Sequence, residues 1–164
     1  MLMKTSILPP SDCTPQDLAA FEKLVIAGKA VNPDGLTERI RRAFQLHFLR
    51  TSAGDLIGVA ALKRPYLGYR TGVFRKARST FAPDAYTIEL GWVVVDTDYR
   101  GDHLPRQIIS ELLPLAGDEP VFATTREDKR AMQYALPECG FQREGDPYPS
   151  EEDNYNLILY IRPS

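Results

Sequence analysis

The sequence predicts an α/β (α+β) domain, and three features of its patterning carry that reading. Apolar runs short enough for strands alternate with longer stretches whose apolar residues recur every three or four positions. One run, Ile88 to Val95, passes through a polar stop, Asp96 to Gly101, into an amphipathic helix. Two strand-like segments between Gln45 and Lys63 flank Ser52, Ala53, Gly54 and Asp55, the turn chemistry of a hairpin. The resulting element order is β, α, α, β, β, β, α, β, α, β, β.

A chain of 164 residues, 43% apolar and 26% charged, fits a single domain over 1–164 with a sizeable core. A net charge of −2 selects no class of partner. No run is long enough to span a bilayer. The opening MLMKTSILPP lacks the apolar core and cleavage site of a secretion signal, so a cytoplasmic location is expected and no membrane partner. Cys13 and Cys139 are too few to staple a secreted scaffold and read as two free thiols.

In chain order, Lys4 to Pro9 suits a short strand ended by Pro9 and Pro10. Thr14 then caps a helix beginning at Pro15, with Leu18, Phe21, Leu24 and Val25 at helical spacing up to about Ala30. After the turn at 32–35 comes a shorter helix, Leu36 to Ala43, with Arg39, Arg41 and Arg42 toward water. His47, within the first hairpin strand, reads as a structural or surface histidine.

Residues 64–84 show no core pattern and are expected to form a long loop, a class of segment that is often functional. Lys63, Arg64, Arg70, Arg75, Lys76 and Arg78, with Tyr66, Tyr69 and Phe74 between them, could track phosphates and stack on bases. They could equally be a solvated segment whose rings pack on the domain. The second reading is preferred, because six cations are a weak footprint in a net-negative chain, and a nucleic acid is not the expected partner.

The run from Ile88 to Val95 is nearly continuous in bulky apolar residues, which suits a strand buried on both faces. Leu104, Ile108, Ile109, Leu112 and Leu113 then mark the helix that follows. A loop that enters a helix this way is a natural anion site, since the first helical N–H groups have no internal partner and the dipole favours negative charge. Further on, Val121 to Thr125 reads as a strand. A helix starting near Arg126 should end or kink at Pro137, and Gly140 terminates it. Phe141 opens a strand, Glu144 to Asn154 reads as a loop, and Tyr155 to Ile161 is the last strand.

The stretch YTIELGWVVVDTDYRGDHLPRQIISELL, with Arg100 and Gly101 at its loop, resembles the GNAT superfamily of N-acetyltransferases. So does TTREDKRAMQYALPECGFQREG, where an Ala-Met pair precedes Gly-Phe. The resemblance implies a GNAT fold: a mixed, mostly antiparallel central sheet of six to seven strands flanked by about four helices. It implies acyl transfer from acetyl-CoA, as co-substrate and with no metal, to a primary amine of a small-molecule or peptide acceptor. A homodimer is compatible with it; the alternatives are a lapsed binding module of the same fold, or an RNA-directed GNAT-like protein using the basic 63–78 loop.

Under that resemblance the coenzyme is bound by Val93, Val94, Val95, Arg100, Gly101, Asp102, His103, Leu104, Arg106 and Lys129, with Lys129 standing where the family usually has Asn. The valines would supply backbone donors from a bulge, which side chains do not encode. His103 and Pro105 replace small residues of the family's loop; Pro105 has no N–H and suits a first helical position. Glu89, the one acid in the central strand, is the candidate base. The alternative for Glu89 is a strand-edge carboxylate that meets solvent or a lysine. The tyrosine that many members use as an acid is replaced by Leu136, with Tyr134 expected on the opposite side of the helix. Either the thiolate then leaves unaided, which its moderate pKa permits, or a residue of 64–84 supplies the proton. Cys139 reads as a small buried residue rather than a nucleophile.

Overall fold

The computed structural model describes every residue except Met1, Ala30 and Asp102. Strand β1 (Met3–Leu8) leads to α1 (Pro15–Ala27) and α2 (Leu36–Arg41), and then to the hairpin β2 (Gln45–Thr51) and β3 (Leu56–Lys63). Helix α3 (Leu67–Lys76) crosses to the central strand β4 (Ile88–Val95), followed by α4 (Leu104–Leu112) and β5 (Val121–Arg126). Helix α5 (Arg130–Glu138) and the pair β6 (Gln142–Pro149) and β7 (Asn156–Arg162) complete the chain. The seven strands form one sheet in the order β1-β2-β3-β4-β5-β7-β6. Among the described residues only β4 and β5 run parallel.

Local chemistry explains most boundaries. Thr14 and Asp17 form a reciprocal capping box at the start of α1, with N···O distances of 3.0 and 3.3 Å. Pro137 is accommodated in the last turn of α5, and Gly140, at φ +92°, provides the left-handed residue that ends it.

Two expectations are corrected. The segment 64–84 is not a loop: α3 occupies its centre and buries Val73 and Phe74 against Tyr86, Phe122, Tyr148, Leu159 and Ile161. Arg70 holds this crossover in place by donating to the carbonyls of Pro65, Pro83 and Tyr86. Residues 144–149 are not a loop either. They continue β6 at the sheet edge, where an irregularity between Glu144 and Tyr148 accommodates proline and glycine.

The core lies on both faces of the sheet. On one, α4 and α5 pack Leu104, Ile108, Ile109, Leu112 and Leu136 on Leu49, Leu62, Ile88, Leu90 and Ala123. The other carries two clusters: Phe21, Val25, Leu36 and Ile40 of α1 and α2 over β2 and β3, and the α3 cluster over β5, β7 and β6. Glu89 belongs to this second face, between the two clusters.

Candidate active site

Strand β4 does two different things along its length. Ile88, Glu89 and Leu90 pair with β5 at Val121, Phe122 and Ala123, and that pairing stops at Leu90. On the other side, Gly91 pairs with Ala61 and Val94 with Val59, so Trp92 and Val93 together oppose Ala60. Two residues against one is a bulge. Trp92 occupies it at φ +53°, a left-handed conformation costing about 1 kcal/mol for a side-chain-bearing residue. Its ring is held against Phe21, with centroids 6.2 Å apart. The consequence corrects the expectation of a strand buried on both faces: Gly91 to Val94 are only half-buried, because β4 leaves β5 and a cleft opens there.

This cleft has a volume of about 910 Å³. Val93, Val94 and Val95 line it, as do Arg100, Gly101, His103, Arg106 and Lys129. Leu104 does not: its side chain is buried in the α4 core, so only its backbone can face an anion. Asp102 lies outside the described residues. His103 caps α4 in a left-handed conformation, φ +56°, and Gly101 has φ +98°. Pro105 is the second helical residue rather than the first. The first helical bond runs from the Gln107 N–H to the His103 carbonyl, so helical geometry leaves Leu104 and Arg106 as donors and Pro105 without one. Opposite them, burial first and the charges of Arg100 and Arg126 second lower the Lys129 pKa, against the opposing charge of Asp128. Arg106 is paired with Glu138 at 3.0 Å and Arg126 with Asp128 at 2.8 Å, which leaves Arg100 and Lys129, of these four cations, without an ion pair among the described residues; beside a helix N-terminus they suit a diphosphate.

Glu89 lies at the other end of the cleft and is 3% exposed. Its two oxygens have different partners: Lys63 Nζ is 3.3 Å from Oε1, and the Tyr69 hydroxyl donates to Oε2 at 3.1 Å. The lysine reading of Glu89 is therefore realised, within the cleft rather than at a strand edge. Tyr69 is 48% exposed because its ring faces the open cleft, while the hydroxyl is enclosed beside Glu89. The charge of Glu89, then burial, raises the Tyr69 pKa well above that of a free phenol. Tyr148 of β6 is raised too, by burial first and by Glu89 second. Both phenols remain protonated near neutrality.

Neither Tyr69 nor Lys63 nor Tyr148 was singled out from the sequence as a partner of Glu89. One signal was available: Lys63 ends β3 where Glu89 begins β4, and an antiparallel register places them opposite each other. Leu136 is fully buried, and Tyr134, although turned from the core and 68% exposed, borders the cleft mouth. Cys139 packs on the α4 core and burial raises its thiol pKa, the opposite of what a nucleophile needs. His47 is buried, with Nε2 2.9 Å from Glu111 Oε1 and away from the cleft.

The basic segment has internal uses. Lys63, Arg64 and Lys76 pair with Glu89, Glu119 and Glu151, Arg70 binds carbonyls, and Phe74 is core. Among the described residues only Arg75 and Arg78 of that set have neither an ion pair nor a side-chain hydrogen bond, which leaves little to track a phosphate backbone.

Solved structures share this fold. An acyl-CoA N-acyltransferase from Pseudomonas aeruginosa superposes with a TM-score of 0.72 at 17% identity, covering 98% of this chain and 99% of that one. ElaA of Escherichia coli gives 0.69 at 16% over 98% and 99%, and a GNAT-family acetyltransferase from Streptococcus agalactiae 0.70 at 13% over 98% and 95%. The fold is the GNAT fold. By sequence the chain matches no protein-family model and no curated protein. Among the described residues the expected mostly antiparallel sheet is present with seven strands, and five helices rather than about four flank it, α3 being the addition. No described helix is long and apolar enough to cross a membrane.

Proposed function

We propose that this protein is an acyl-CoA-dependent N-acyltransferase, with acetyl-CoA as donor and a primary amine of a small molecule or peptide as acceptor. The observation that carries the reading is a buried carboxylate, Glu89, at one end of a cleft that a bulge opens at Trp92 and Val93. Acetyl-CoA supplies an activated thioester carbonyl. Arg100, Arg106, Lys129 and the loop backbone at Gly101, His103 and Leu104 hold its diphosphate, and the backbone N–H groups at the bulge polarise the carbonyl oxygen. Glu89 accepts the proton of the attacking amine. Once that proton has neutralised Glu89, the charge that most raises the Tyr69 pKa is gone, and Tyr69, from the 64–84 segment, can give a proton to the departing thiolate in place of the tyrosine that Leu136 replaces.

The test begins with binding: acetyl-CoA should raise the melting temperature, as any ligand specific for the folded state does. Release of free thiol from acetyl-CoA across a panel of primary amines then identifies the acceptor. With that acceptor, Glu89→Gln should lower turnover by about 10²-fold or more while leaving the melting shift in place. Binding without turnover on any amine would favour a lapsed module, a reading that rests on Leu136 and on Pro105 at the loop. The absence of a melting shift at saturating acetyl-CoA would overturn both.

A further inference from the structure

The acceptor end of the cleft already holds an amine. Lys63 lies opposite Glu89 in the β3–β4 register, its Nζ 3.3 Å from the carboxylate and 4.4 Å from the centroid of the Trp92 ring. The side chain passes so close over Gly91 that a Cβ there would stand 2.7 Å from Lys63 Cε and 2.9 Å from Nζ. Gly91 is therefore what lets the ammonium lie against the backbone just where β4 enters its bulge. Only 21% of the Lys63 side chain is exposed. A proton acceptor, an aromatic face and the bulged backbone are the surroundings that an acyl acceptor requires. No other lysine among the described residues has them: Lys76 ends at the cleft rim on Glu151, and Lys129 lies beside Arg100 and Arg126.

We propose that Lys63 is itself an acyl acceptor, so that the protein acylates its own cleft in cis. The inference rests on the acyltransferase reading and adds a modification site to it. In the step, Nζ gives a proton to Glu89 and attacks the thioester carbonyl carbon. The N–C bond forms, the C–S bond breaks, and the coenzyme leaves as a thiolate that takes up a proton. The product is a neutral amide at Lys63. It no longer pairs with Glu89 and adds bulk at the acceptor end, so the modification closes the site to external amines. A free acceptor must displace the Lys63 ammonium before it can react, and its presence should protect Lys63.

The experiment follows acetylation of each lysine by peptide mass spectrometry after adding acetyl-CoA to the full chain. Acetic anhydride provides the scale of intrinsic accessibility. The exposed Lys4, Lys23 and Lys29 serve as references. After that normalisation Lys63 should react about 10²-fold faster than the references, at a rate per chain independent of protein concentration. Glu89→Gln should remove most of the excess while keeping the acetyl-CoA melting shift. Reaction at Lys63 no faster than at the references, or unchanged in Glu89→Gln, overturns the proposal. A melting shift without Lys63 modification removes this inference alone, whereas no melting shift removes the acyltransferase reading with it.

Discussion

The two halves of β4 are built from similar residues and end in opposite situations. Ile88, Glu89 and Leu90 are at most 3% exposed; all three pair with β5, and Glu89 and Leu90 pair with β3 as well. Gly91, Trp92, Val93 and Val94 are half-buried, bulged against β3 and unpaired with β5. Apolar content alone therefore does not separate core from site. What separates them is where the backbone stops satisfying its neighbour, since a donor released from a sheet is available to a ligand.

Substitutions in the two halves sharpen this contrast. Leu90→Ala should have the largest effect, about 2–5 kcal/mol of lost stability by urea unfolding, because the first half is closely packed core. Lys129→Ala, on the rim that faces the second half, should weaken acetyl-CoA binding by roughly 5- to 10-fold at low ionic strength. That loss should shrink as salt is added, and stability should hardly change. Val94→Ala should cost below about 1 kcal/mol, since this residue already meets the open cleft. A cost equal to that of Leu90→Ala would make both halves core and break the comparison.

The smallest effect lies outside the strand. Burial lowers the His47 pKa below 6.5, more than the neighbouring Glu111 raises it. The unfolded chain then binds the proton more readily, so this contribution to stability is complete above about pH 6.5 and is lost as pH falls. The urea midpoint should decline on acidification, and the decline should be shallower in His47→Gln.

Most of the scaffold was legible because side chains encode it. The Thr14 cap, the turn at 52–55 and the apolar face of α4 each express a local rule that the fold obeys. Helix α3 was not legible, since Val73 and Phe74 are its only buried residues and Gly68 and Gly72 weaken the helical signal. The continuation of β6 from Glu144 hid for a similar reason: of the strand's residues only Tyr148 is buried, and its prolines and glycine read as a loop. At the candidate site Glu89 and the valines came from the family resemblance. Lys63, Tyr69 and Tyr148 sit on three separate elements, and only tertiary structure brings them to one carboxylate.

The single guanidinium of Arg70 reaches carbonyls on both flanks of α3. Both ends of the β3–β4 connection are thus riveted at one point, and the helix between them forms a panel beside the Glu89 end of the cleft. On the proposed acyltransferase reading, substitutions in this panel would recut the wall that meets an amine, while α4 and α5, packed on the far side of the sheet, would keep the thioester seat as it is. Exchange of one would then leave the other in place.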